Sequence, residues 1–205
     1  MVAFSQTIEH NTLRRIQQIQ VITIAWMSIE AFASLYAAWQ ARSPALLAFG
    51  GDSAVELLSA IVVLWRFRSG LVQPRAERTA SRIAGILLLA LVVYVSVVSA
   101  LSLLGHNQPT TSYLGITILI AAAVLMPWLA TEKRKLSAAT GSSALRADAV
   151  QSGLCAYLSL IALIGLVVNA IWHFAWADPI AALAVVPLLL WEGKEAISGR
   201  ACGCD

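Results

Sequence analysis

Charge is the scarcest commodity in this sequence: only 12% of its residues are Asp, Glu, Lys or Arg, where a soluble domain carries about 25%. With 59% hydrophobic residues and a mean hydropathy of +0.77, that shortage excludes water as the main solvent. Cysteine is rare as well. Cys155, Cys202 and Cys204 are odd in number and two are nearly adjacent, which argues against a disulfide framework and for free thiols on a reducing face. Neither an HExxH nor a G-x-S-x-G pattern occurs, and His10, His106 and His173 lie outside the apolar runs or at their edges, so no enzyme is expected. No small-residue cleavage site follows the first apolar stretch, which therefore reads as a retained span rather than a removable signal. The net charge of +3 does not indicate nucleic acid, because the basic residues sit in short clusters between apolar runs.

What is present is a series of long apolar segments. A helix needs about 20 mostly apolar residues to cross the hydrocarbon core, and six segments qualify: 19–41, 45–65, 83–104, 113–131, 144–171 and 176–191. The expected fold class is an all-α membrane protein of six transmembrane helices. Its parts are a cytoplasmic N-terminal segment (1–18), a six-helix transmembrane domain (19–195) and a short tail (196–205). Pro127 and Pro187 fall inside the fourth and sixth spans; Pro44, Pro74, Pro109 and Pro179 mark span ends.

The basic residues alternate between connections. Arg14 and Arg15 precede the first span, Arg66, Arg68, Arg75, Arg78 and Arg82 separate the second from the third, and Lys133, Arg134, Lys135 and Arg146 separate the fourth from the fifth. Lys194 and Arg200 follow the sixth, and Arg42 alone lies on the other side. The positive-inside rule then predicts cytoplasmic termini.

Acidic residues break the apolar runs at telling places. Glu30, Asp52 and Glu56 lie within spans, Asp148 lies early in the fifth, and Asp178 lies at the outer end of the sixth. A lone charge at the bilayer centre costs about 2.5–3.5 kcal/mol on insertion scales, and no Lys or Arg is expected at comparable depth. Such acids imply bound protons, a bound cation, or both. Asp178, just before Pro179, reads as the cap of its own helix.

A short internal repeat adds to this. Ser43-Pro44-Ala45-Leu46-Leu47-Ala48 resembles Ser142-Ser143-Ala144-Leu145-Arg146-Ala147, which aligns Asp52 with Gln151 and Glu56 with Cys155. Each pair is spaced i, i+4, so both side chains share a helix face. Two such half-sites would supply the four ligands that zinc prefers, in an inverted repeat of the kind seen in secondary transporters. Plainer readings stand beside this one. The acids of the second span could be protonated and bonded to Ser53 or Ser59, Gln151 could bond between helices, and Cys155 could be a small apolar filler.

The segments Ala45–Glu56, Ala147–Cys155 and Asp178-Pro179-Ile180-Ala181-Ala182-Leu183 resemble the cation diffusion facilitator (cation efflux) family of divalent-metal exporters over about residues 12–200. The resemblance implies a metal held between the second and fifth spans, by Asp52 and Glu56 from one and by Gln151 and Cys155 from the other. The second pair departs from the family's usual His or Asp, and a sulfur ligand would favour softer cations. Glu30 and Asp148 are candidates for accessory metal or proton contacts, and Cys202 and Cys204 for cytoplasmic metal capture. The family also implies a homodimer. Members commonly continue into a cytoplasmic domain that this sequence lacks, so it resembles the short form.

The expected function is efflux of a divalent transition metal from the cytoplasm through the inner (plasma) membrane. Zinc is the first candidate, with cadmium, cobalt or iron as others, protons as the counter-ion and no prosthetic group. The rival readings are a proton or monovalent-cation channel or carrier, and a membrane sensor that transports nothing. The channel or carrier predicts flux insensitive to Cys155 and no metal-dependent stabilisation, whereas the sensor tolerates neutralising Asp52 and Glu56 together.

Overall fold

In a computed structural model of the chain, the backbone is described over residues 2–69, 74–106, 108–141 and 143–198. Cys202 and Cys204 lie outside the described residues. The described chain forms six helices: α1 (Val2–Ala41), α2 (Pro44–Ser69), α3 (Pro74–Leu103), α4 (Tyr113–Thr140), α5 (Ser143–Trp172) and α6 (Ala177–Ser198). Four stretches, Arg14–Ala41, Arg82–Leu103, Tyr113–Thr140 and Asp148–Trp172, are long and apolar enough to cross a membrane. Helices suit that solvent because each satisfies its own backbone polar groups where lipid offers no partners. The chain is an all-α, multi-pass membrane protein.

The helix ends follow local chemistry. Pro44 and Pro74 open α2 and α3, where a missing amide costs nothing. Ser112 caps α4 by accepting the amide of Gly115 at 3.0 Å. That helix stops at Gly141, whose φ of 66° is the left-handed conformation glycine adopts without strain.

Polarity is distributed inside out. The inward stripe of α1 carries Gln20, Thr23, Glu30 and Ser34, all buried, while Phe32 (78% exposed) and Trp39 (79% exposed) face outward. A water-soluble helix does the reverse. The outward surface matches lipid tails, and the interior is left for small and polar side chains.

α1 packs most extensively on α2, α3 on α6 and α4 on α5; α2 also touches α3, α5 and α6. The helix carrying Asp52 and Glu56 is thus enclosed by its neighbours. Two glycines permit close approach. A Cβ on Gly85 of α3 would lie 2.7 Å from the Gly193 carbonyl oxygen of α6, and one on Gly165 of α5 would lie 2.4 Å from Ala181 Cβ of α6.

Two expectations need correction. Lys133, read from sequence as part of a loop cluster, lies inside α4 and is fully buried, because α4 runs on well past residue 131. Asp178 does not cap its own helix. Its Oδ1 accepts the Ala45 amide at 3.0 Å and its Oδ2 accepts the Ser43 hydroxyl at 2.5 Å, so it caps α2 from α6. The start of α2 offers unpaired amides and a partial positive charge, and packing brings the Asp178 carboxylate to them.

Candidate metal site

Asp52 and Glu56 stand one turn apart on α2 and both are buried. Opposite them on α5, Ser152 donates to Glu56 Oε1 at 3.0 Å. One turn further along α5, Cys155 donates to Glu30 Oε1 at 3.4 Å, the same oxygen that accepts Ser53 Oγ of α2 at 2.6 Å. Later residues of α2 therefore meet earlier residues of α5, so the two helices run antiparallel, as the inverted repeat requires.

This register brings together three of the residues singled out from sequence. One ligand atom from each of Asp52, Glu56 and Cys155 lies within 4.8 Å of the others. Asp52 Oδ1, Glu56 Oε2 and Glu30 Oε2 are buried with no hydrogen-bond partner. Buried polar atoms are nearly always satisfied, so the orphaned oxygens of Asp52 and Glu56, two residues whose ligand atoms converge with that of Cys155, call for a cation or for protons. Carboxylate oxygens and a thiolate within that spacing are donors that a divalent transition metal accepts. Glu30, expected as an accessory group, reaches the cluster from α1 through Cys155 and Ser53.

Gln151 is placed differently from the other three. Its amide donates to the Glu192 carboxylate of α6. Glu192 lies within electrostatic reach of Asp52, as do Glu56 and Glu30. Sequence reasoning ended the sixth span at residue 191 and so missed it. The signal was available: Val185, Leu189 and Glu192 are all buried, at the three- and four-residue steps of one helix face.

Asp148 is drawn into a separate polar layer. Its Oδ2 accepts the Gln20 amide at 2.6 Å and pairs with Lys133 Nζ at 3.1 Å. Lys133 also donates to Ser152 Oγ at 2.8 Å. The expectation that no base lies at the depth of the acids therefore fails: Lys133 is one hydroxyl away from Glu56. Met126, Leu129, Ala130, Lys133 and Ser137 are all buried on α4, and that spacing would have placed Lys133 on the inward face had the helix been extended. Nearby, Arg15 and Lys135 both reach Glu132, each at 2.7 Å. Both cations are largely exposed, so these pairs contribute little.

Residues 20–198 match the family model of the cation efflux transmembrane domain. The chain is also similar to the manganese efflux system protein MneS of Bacillus subtilis (strain 168), with 24% identity over 185 residues, covering 86% of this chain and 63% of that protein. It thus spans a little under two thirds of that relative's length.

Proposed function

This chain belongs to the cation efflux family, and from that premise we propose that it moves a divalent transition-metal cation across the bilayer, held in transit by Asp52, Glu56 and Cys155. The observation that carries the reading is their convergence in a buried site where Asp52 Oδ1 and Glu56 Oε2 lack partners. Two carboxylates and a thiolate bring three negative charges to a dication, and Glu30 and Glu192 add to the attraction. The rival proton-relay and sensor readings give no reason for a thiol to join the carboxylates.

Zinc is the proposed ion, because Cys155 supplies a sulfur donor and zinc accepts mixed sulfur and oxygen ligands. Manganese is the second reading. It prefers hard oxygen donors, which Asp52, Glu56, Glu30 and Glu192 provide, and the similar MneS is named for manganese efflux.

In the proposed cycle the metal enters from the cytoplasm and displaces protons, since ligating groups must be deprotonated. Glu30 already accepts the Cys155 thiol proton in a hydrogen bond, so it is placed to take that proton as the sulfur binds. Protons arriving from the opposite face then release the ion. Efflux through the plasma membrane, termini on the cytoplasmic side and a homodimer complete the proposal, the orientation resting on the basic residues between spans.

The test is a metal panel on purified protein and on proteoliposomes. Zinc, cadmium, cobalt, manganese, iron and nickel are compared for thermal stabilisation and flux, wild type against Asp52→Ala. The reading predicts stabilisation and flux by at least one of these metals, both lost in a variant that stays folded. Equal flux in wild type and Asp52→Ala would overturn it.

A further inference from the structure

Lys133 is a fully buried ammonium group in a helix that crosses the membrane. A buried lysine is costly unless paired, and this one has two partners: Asp148 Oδ2 at 3.1 Å and Ser152 Oγ at 2.8 Å. Lysine only donates hydrogen bonds. Ser152 must therefore accept from Lys133 and spend its single proton on Glu56 Oε1, 3.0 Å away. The hydroxyl is polarised from the lysine toward the carboxylate. Lys133 is thus a cation one hydroxyl away from Glu56.

Asp148 takes one of the three ammonium donors and Ser152 a second, which ties the charge to Glu56 as well as to Asp148. The lysine sits between Asp148 and the cluster of Asp52, Glu56 and Cys155. We propose that Lys133 is a tethered counter-cation to the metal site, which partly neutralises the empty site and repels the bound ion, so that the transported metal is held loosely enough to leave. A transport site must bind and release in each cycle. A dication among Glu30, Asp52, Glu56, Glu192 and Cys155, all in a low-dielectric interior, would otherwise be trapped by its own ligands. A fixed positive charge one hydroxyl away weakens the bound state without occupying a ligand position. This inference rests on the metal-transport reading above, and Lys133 acts in it as a positioning charge rather than a ligand.

The experiment measures cobalt affinity of the detergent-purified full chain by calorimetry and by the absorption of the bound ion. Variants are Lys133→Gln, which keeps N–H donors on a shorter side chain but carries no charge, and Lys133→Arg, which keeps the charge. Losing a charge this close in a buried site should tighten cobalt binding in Lys133→Gln by about tenfold or more, while Lys133→Arg stays near wild type. In proteoliposomes Lys133→Gln should lower KM and kcat together, because the ion leaves slowly. If Lys133→Gln does not fold, the double variant Lys133→Met with Asp148→Asn removes the pair whole. It should still bind more tightly than wild type, by a smaller factor, because Lys133 is linked to Glu56 through Ser152 while Asp148 lies on the far side of the lysine. A folded uncharged variant with unchanged or weaker cobalt affinity overturns the inference while leaving the transport reading intact. Equal tightening in Lys133→Arg and Lys133→Gln also overturns it. Wild-type protein that binds no cobalt, zinc or manganese sinks the transport reading and this inference with it.

Discussion

Cys155 on α5 and Glu30 on α1 share a hydrogen bond of 3.4 Å, with the thiol donating to the carboxylate. No other cysteine is present among the described residues. The bond joins the helix with the sulfur donor to a third helix, beyond the two that carry the proposed ligand pairs. It also means that the sulfur presented to a metal has an acceptor beside it for its proton.

Sulfur's part in ion choice can be read directly. Cys155→Ser keeps the size and the hydrogen bond to Glu30 but replaces a soft donor with a hard one. Zinc and cadmium affinity should fall by at least about tenfold, while manganese affinity changes little. Calorimetry with the three ions on one preparation checks this. A uniform change for all three would remove Cys155 from the ligand set.

Glu192 should matter although it lies on the sixth helix. Its carboxylate lies within electrostatic reach of Asp52, so Glu192→Gln removes attraction from the site, and zinc affinity should drop several-fold. Gln151→Ala, which frees the Glu192 carboxylate from its amide partner, should leave affinity equal or higher. The order of the two variants in a zinc titration is the test. If Gln151 is itself an essential ligand, that order reverses.

The Asp178 cap predicts a stability effect. Asp178→Asn keeps one acceptor and loses the charge at the start of α2, and Ser43→Ala loses the hydroxyl that bonds both Asp178 and the Leu46 amide. Each should cost about 1 kcal/mol, the usual value of a cap. Asp178→Ala should cost more, because the Ala45 amide is then buried without a partner. Thermal unfolding in detergent measures all three.

Close helix contacts offer a fourth check. Gly165→Val and Gly85→Val would push side-chain atoms into Ala181 of α6 and the backbone of Gly193 respectively. Overpacking of this kind costs about 1–3 kcal/mol, and both variants should lower the unfolding temperature. Gly141→Ala should also destabilise, but for a local reason: open space surrounds a Cβ there, and only the φ of 66° is unfavourable.

Much of this was legible before any coordinates. A shortage of charge and runs of about 20 apolar residues require lipid as solvent, and Pro44, Pro74 and Gly141 punctuate the helices through their own backbone chemistry. Asp52 and Glu56 share a face because four residues are nearly one turn. These are local facts, and local facts are written in order along the chain.

Other relationships depend on how helices rotate and slide against one another, which no spacing along one helix determines. Lys133 belongs to a run of three basic residues that looks like a solvated loop, yet α4 continues through it and turns that side chain inward. Asp178 looks like its own helix's cap, and packing hands it to α2 instead. The presence of buried carboxylates was decided by the amino-acid order alone. Their partners, Ser152 with Lys133 behind it and Glu30 beside Cys155, were decided only when α1 and α5 packed on α2 and α4 packed on α5, because charge is satisfied across space rather than along the chain.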